Sequence, residues 1–562
     1  MEKKESSTSS AGQGSIYQIT SSTINLPTTN IRNLASITDE KNATRILEEA
    51  QANLQFSSDT GYAPELRRDF NVLSLLGIGF GITNSWYGIS GAMIAGISGG
   101  STLILYGILM LAFVGMCIAV TLSEMSSMLP NASGQTYWAM KLAPPKYSKL
   151  MGYITGILAW LGSVFTSAAV TMTMASAVTG MYVLYNPETE IKSWQIFLCY
   201  EVFLLLLVPF NLWEKPLPAI STSTLYISLA SFFIIIVTVL SLHTGEFQSA
   251  KTVFTEFNNS TGWNSSAIAF IIGLVNPNWA FSCLDAATHI AEETLHPETQ
   301  IPTAIIGTVC VGFVTSFSYC IAMFFSMKNI DDIINSNTGV PIMDIFYQAT
   351  SSKAAAVGLQ ALILLTAFSC NIGCHTWESR IAYSFSRDRG LPFSKYWSKV
   401  NEKTGTVVNA HLMSCALNGV IGLIYLGSSS AFNSILVCCV TFLLLSYMVP
   451  TLFLIPQRNT IKHGPFFLKK WGIGLFCNLV TCAWAIFAFV FYNFPTVMPV
   501  SGGNMNYSTV VVGIVLIICV GDWFIRAKKE YIDITEREHM KSELTEQLSA
   551  QVSNIEAVLS RP

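Results

Sequence analysis

Apolar stretches of about twenty residues recur along this chain, each long enough to cross a hydrocarbon core of about 30 Å as a helix. Twelve can be placed, at 71–95, 100–124, 151–182, 194–212, 217–242, 267–288, 302–326, 354–384, 408–427, 430–456, 472–494 and 506–527. Lipid offers no partner to a backbone amide, so segments of this kind are helical, and the chain is read as an all-α polytopic membrane protein. Only 12% of the 562 residues are charged, about half the share of a soluble chain. Those charges sit at the two ends and in short segments between the apolar runs. A soluble enzyme, a secreted disulfide scaffold and a disordered chain are thereby excluded. The net charge of −3 leaves no basic face for nucleic acid.

Three parts follow. Residues 1–65, rich in Ser, Thr, Asn and Gln, read as a disordered tail with no apolar leader after Met1. Residues 66–527 hold the twelve helices. Residues 528–562 turn charged, with Met540, Leu544, Leu548, Val552, Ile555 and Leu559 at helical spacing, which predicts an amphipathic helix. Eighteen Lys and Arg residues, from Arg67 to Lys529, flank the spans on the side of the N-terminus, against Lys192, Lys251, Lys328 and Lys353 on the other. The positive-inside rule then puts both termini in the cytoplasm. Asn259 and Asn264 become outward-facing glycosylation acceptors by pattern. Nine of the 13 cysteines lie inside apolar runs, where they act as small hydrophobes. Cys370 and Cys374 have no second pair to complete a zinc site, so the sequence is read with no metal and no cofactor.

Two spans carry material that breaks helices. The first contains Gly77, Gly79 and Gly81, then Thr83-Asn84-Ser85-Trp86-Tyr87-Gly88. The sixth contains Asn276-Pro277-Asn278-Trp279-Ala280-Phe281-Ser282-Cys283-Leu284-Asp285. Pro277 lacks an amide donor, and Asp285 is costly in lipid. Interruptions five spans apart are the mark of two inverted five-helix repeats that meet at a midplane binding site. Thr83, Asn84, Ser85, Trp86, Trp279, Phe281, Ser282, Cys283 and Asp285 are the expected substrate contacts, with Tyr87 and Trp377 as further aromatic candidates. Glu124, Asp285 and His289 are the intramembrane groups able to carry a proton.

Several stretches carry a resemblance. They are Gly79–Trp86, Leu142–Tyr147, Gly162–Ala168, Phe281–His289, Cys374–Trp377 and Asn409–Cys415, together with Glu124, Pro130 and Gly134 and the loop Arg387-Asp388-Arg389-Gly390-Leu391-Pro392. On these residues the chain resembles the amino acid–polyamine–organocation superfamily, within it the fungal amino acid/choline transporter group and its choline permeases above all. The resemblance implies a LeuT-like 5+5 inverted repeat plus two extra helices. It also implies a secondary active transporter of the plasma membrane, not an enzyme, driven by protons. Trp279-Ala280-Phe281-Ser282-Cys283-Leu284-Asp285 is similar to the Trp-x-Phe-x-Gly-x-Glu register of the bacterial arginine/agmatine antiporter. That likeness implies a gating ring at Trp279 and a buried carboxylate at Asp285.

Amino-acid members carry a Gly-Ser-Gly break in the first span, whereas here an indole, Trp86, stands at the second glycine. The departure favours a small amine or organic cation, choline or ethanolamine, recognised by aromatic faces at roughly 0.5–2 kcal/mol each. The alternatives are a GABA, amino-acid or thiamine permease of the same group, and, from another class, a nutrient sensor on a transporter fold.

Overall fold

The computed structural model describes residues 68–427, 431–469, 472–502 and 504–559, with Gln51, Leu54 and Leu66 besides. The tail expected over residues 1–65 lies almost wholly outside them. Among the described residues, eleven helices are long and apolar enough to cross a membrane, from Val72–Gly91 to the one beginning at Ser508. A shorter apolar segment, Ser266–Ala280, is the sixth span, cut short by its interruption. All twelve expected segments are therefore present as helix.

The first ten spans pack as two interlocked sets of five. Contacts recur when five is added to the span number. The first span lies on the seventh and the sixth on the second; the third lies on the tenth and the eighth on the fifth. Ile473–Phe491 and Ser508–Asp522 follow as two additional helices. This is the inverted-repeat arrangement, and it brings the two interrupted spans to the centre of the bundle.

Gly77, Gly79 and Gly81 do not break the first span. The helix is regular over Val72–Thr83, started by a reciprocal cap in which Asn71 Oδ1 accepts from the Leu73 and Ser74 amides at 3.0 Å. The glycines serve close packing instead. A Cβ at Gly77 would lie 2.5 Å from the Ser221 carbonyl oxygen, and one at Gly79 would lie 2.6 Å from Thr308 Oγ1. Without side chains there, the fifth and seventh spans approach the first more closely than larger residues permit.

One end of the bundle gathers the basic residues and is closed by ion pairs. Arg380 donates to both oxygens of Glu293, at 2.8 and 3.2 Å, and Arg387 pairs with Glu292. Phe70, just before the first span, donates its amide to the Glu293 carbonyl at 3.1 Å. The charged C-terminal segment forms the helix Ile534–Leu559, whose Arg537 pairs with Asp388. Ahead of it, the Ile532 amide donates to the Asp388 carbonyl at 3.0 Å, and Tyr531 stacks edge-on against Tyr153 and Phe385. The segment thus rests on the loop that follows the eighth span.

Candidate substrate site at the two helix breaks

The first span is interrupted at a single residue. Asn84 sits in the left-handed region, φ 32° and ψ 63°, between Val72–Thr83 and Ser85–Gly91. Asparagine tolerates that conformation better than other residues with a Cβ. The turn gives the second half-helix its own N-terminus, whose first amides have no partner within the helix. At the end of the first half-helix the Ile82 carbonyl accepts from Cys370 Sγ at 3.4 Å.

The sixth span is stepped at Leu274, between Ser266–Gly273 and Val275–Ala280, and breaks fully only beyond Ala280. Pro277 lies in the first turn of Val275–Ala280, where no amide donor is needed. The backbone leaves the helix at Phe281, turns through Cys283 at φ 63°, and resumes as a tight 3₁₀ helix over Ala286–Glu293. The two breaks are tied to one another. Thr83 Oγ1 donates to the Ser282 carbonyl at 3.0 Å. A Cβ at Gly88 would stand 2.9 Å from Ala280 Cα, so the half-helix after the first break also touches the half-helix before the second.

The expected contacts divide by where their side chains go. Trp86 does not face the space between the breaks. Its indole donates to Ser228 Oγ at 2.9 Å and packs on Tyr319 and Phe232, and Ser228 in turn donates to Asn84 Oδ1 at 3.0 Å. Both Ser85 and Phe281 close over Gly312 of the seventh span rather than flanking a hollow. Cys283 Sγ lies 3.7 Å from Thr166 Oγ1. Trp377 is buried with its indole N–H unpaired.

Tyr87 and Trp279 are the aromatic pair left at the site, with ring centroids 6.3 Å apart. The Tyr87 hydroxyl meets Thr173 Oγ1 at 2.6 Å. Beside it runs a narrow cavity of about 30 Å³, lined by Tyr87, Ser90, Thr173, Ser176, Pro341 and Gln360 among others. That volume is far below the several hundred Å³ of a ligand pocket.

The cavity is roofed by the turn that leads into the helix Pro341–Thr350. Asp344 of that helix is buried, and burial pushes its carboxyl up to about 6, against partial relief from the Thr338 and Ser336 hydroxyls. A folded-state value above the ordinary 3.8 means that the folded protein binds the extra proton between the two. Stability is therefore expected to fall as pH rises from about 4 to about 6, by up to about 1.4 kcal/mol per pH unit. Thermal unfolding of the purified protein at stepped pH reads this, and Asp344→Asn should flatten the slope.

Below the sixth-span break, Asp285 is wholly buried and fully engaged. Its Oδ2 accepts from Gln135 Nε2 at 2.7 Å and faces His289 Nε2 at 3.0 Å, while Oδ1 accepts from the Tyr447 hydroxyl at 2.5 Å. His289 Nδ1 lies 2.7 Å from the Ala132 carbonyl, which can only accept, so Nδ1 carries a hydrogen. One further proton then sits between His289 Nε2 and Asp285 Oδ2. Gly134 makes room for this pair: it has φ 50°, and a Cβ there would lie 2.9 Å from the His289 ring. Glu124 has a different role. Both its oxygens accept from Arg458, at 2.5 and 2.6 Å, and Oε1 also accepts the Leu468 amide at 2.9 Å. Gln135, Tyr447, Thr173 and Ser228 were not singled out in the sequence. Each is an ordinary polar residue whose partner is more than 80 positions away.

The amino acid permease family model aligns with residues 70–517. The chain is an amino acid permease of the amino acid–polyamine–organocation superfamily. It is similar to the choline transporter of Saccharomyces cerevisiae, 51% identical over 479 residues that cover 85% of each chain. The 7-keto 8-aminopelargonic acid transporter of the same yeast is 34% identical, over 83% of this permease and 94% of that protein. The swainsonine transporter of Arthroderma benhamiae is 32% identical, over 83% and 92%. The permease is thus a multi-pass membrane transporter for a small molecule, and not an enzyme.

Proposed function

We propose that this permease imports a small organic cation, choline before ethanolamine, across the plasma membrane by proton-coupled alternating access. The 51% identity with the yeast choline transporter is the observation that carries the choice of substrate. The site's physics agrees with it. Two half-helices, Val72–Thr83 and Ser266–Ala280, end at the breaks with their carbonyl ends, where partial negative charge favours a cation. A quaternary ammonium group has no N–H to donate, and the Tyr87 and Trp279 faces suit it. Trp86 and Phe281, packed elsewhere, do not contribute to this reading.

Asp285 acts in it as the proton site with His289 rather than as a direct substrate contact. The shared proton between them is the load that moves with the substrate. Glu124, locked to Arg458, is left out of coupling. The basic end faces the cytoplasm with both chain termini, and lipid surrounds the remaining girth. Asn264 is exposed, while the Asn259 amide donates to the Trp263 carbonyl at 2.8 Å, so Asn264 is the acceptor that carries a glycan.

Uptake of labelled choline by cells that lack a choline carrier of their own, with and without an uncoupler, tests the proposal. Accumulation should require the permease and collapse with the uncoupler. Trimethylammonium compounds should displace the label, and GABA, thiamine and amino acids should not. Displacement by amino carboxylates alone would move the substrate to the zwitterionic class. Uptake indifferent to the uncoupler would remove proton coupling.

A further inference from the structure

Away from the breaks, the eighth and ninth spans hold four potential metal ligands in one buried cluster: His375, Glu378, His411 and Cys415. Their spacing, three apart on one helix and four apart on the other, puts each pair on a single helix face. All donor atoms lie within 4.8 Å of one another. Cys415 Sγ is 3.6 Å from the Nδ1 atoms of both His375 and His411.

The surrounding hydrogen bonds fix which ring nitrogens are bare. His411 Nε2 faces the Val208 carbonyl at 3.0 Å, an acceptor only, so the hydrogen is on Nε2 and Nδ1 is bare. Ser167 spends its hydroxyl hydrogen on Asn371 Oδ1 at 3.1 Å, and so accepts from His375 Nε2 at 3.4 Å. Asn371 is itself oriented by donating to Thr171 at 2.7 Å. His375 Nδ1 therefore also presents a lone pair, only 2.7 Å from Glu378 Oε1. Asn418 Nδ2 supports both oxygens of Glu378, at 3.2 and 3.1 Å. Two lone pairs at that distance require a cation between them, either a proton or a metal ion.

We propose that His375, Glu378, His411 and Cys415 form a structural zinc site that staples the eighth span to the ninth. Thiolate and imidazole donors select a borderline-soft divalent ion over magnesium or calcium. One thiolate and one carboxylate with two neutral imidazoles cancel a charge of +2, as a site inside the membrane domain requires. Zinc entry displaces two protons, one from the thiol and one shared by His375 and Glu378, so the site is neutral before and after. Tetrahedral ligands at 2.0–2.3 Å stand roughly 3.3–3.7 Å apart. The His375–Cys415 distance already meets this, whereas the His411 ring, whose two nitrogens lie 3.6 and 3.8 Å from Sγ, has to turn its Nδ1 toward the ion, and Glu378 has to draw back from His375 by roughly half an ångström. Hydrogen bonds such as those to Ser167 and the Val208 carbonyl hold ligand rings in place at known zinc centres. With four protein ligands the coordination is closed, so the ion is not transported cargo.

The test is metal analysis of the full-length protein, purified in nanodiscs through a tag free of histidine. About one zinc per chain is expected, and Cys415→Ser or His411→Ala should lose it. Asn418→Ala, which removes only a supporting bond, should weaken zinc affinity about 10-fold. Cobalt exchanged into the unmodified protein should give tetrahedral bands and a thiolate-to-cobalt charge-transfer band. That spectrum decides the matter even where the ligand variants fail to fold. Protein that carries no zinc and takes up no cobalt overturns the proposal, leaving the cluster held by protons. So does full zinc content in the Cys415→Ser variant, or a cobalt spectrum without the sulfur band.

Discussion

Asp285→Asn is expected to abolish accumulation of labelled choline while leaving exchange of bound solute across the membrane intact. The carboxylate lies below the break, with Gln135, Tyr447 and His289 around its two oxygens. Three of the four lone-pair positions on its oxygens are thereby taken by protein partners. An amide keeps the size of the group but cannot hold the proton that Asp285 shares with His289. Its NH₂ would also face Gln135 or Tyr447, both donors, so part of the network must turn over. His289→Gln removes the other half of the pair and should give the same phenotype. The split between accumulation and exchange separates a coupling group from a binding group, since loss of a substrate contact impairs both. Gradient-driven accumulation by Asp285→Asn, sensitive to an uncoupler as in the unmodified protein, would remove Asp285 from coupling.

The largest loss of stability is expected from Arg458→Ala. It leaves Glu124 buried beside the Leu468 amide without its bidentate partner. Breaking a buried pair by removing one member typically costs about 3–5 kcal/mol, because the remaining charge stays uncompensated. Thermal unfolding in detergent should show a sharp fall in midpoint, and expression of folded protein should drop with it. The double variant Glu124→Gln with Arg458→Met removes both charges and should recover most of the loss. A double variant no better than Arg458→Ala would mean that the pair matters for something other than charge balance.

How far the sequence reaches can be judged from the two breaks. The twelve spans are legible because lipid demands uninterrupted apolar runs of a set length, and those runs are visible without any structure. The location of the first break is legible at Asn84 but not at the glycines before it. Gly77 and Gly79 read equally well as weak helix or as close packing, and only the nearness of Ser221 and Thr308 decides for packing. In the sixth span Pro277 accounts for the step at Leu274, which leaves it in a first turn, but not for the wider break beyond Ala280. Side-chain direction is the least legible part. One left-handed residue at Asn84 resets the rotation of the half-helix that follows, and Trp86 ends against Ser228 instead of the substrate space. Pairings such as Glu124 with Arg458 join residues 334 positions apart and leave no local mark. The cluster of the eighth and ninth spans has no cysteine-pair spacing to mark it, since it mixes donor types across two helices.

The unequal sealing of the two ends has a kinetic meaning. At the basic end, moving the sixth span away requires parting Glu293 from Arg380, Glu292 from Arg387 and the Phe70 amide from its carbonyl together. On the other side, the hydroxyl pair of Tyr87 and Thr173 and a shallow roof stand over the cavity. In the proposed orientation, with the basic end inward, an empty carrier with such different thresholds opens outward more readily than inward. Under the proposed proton coupling, that asymmetry limits turnovers that carry no cargo.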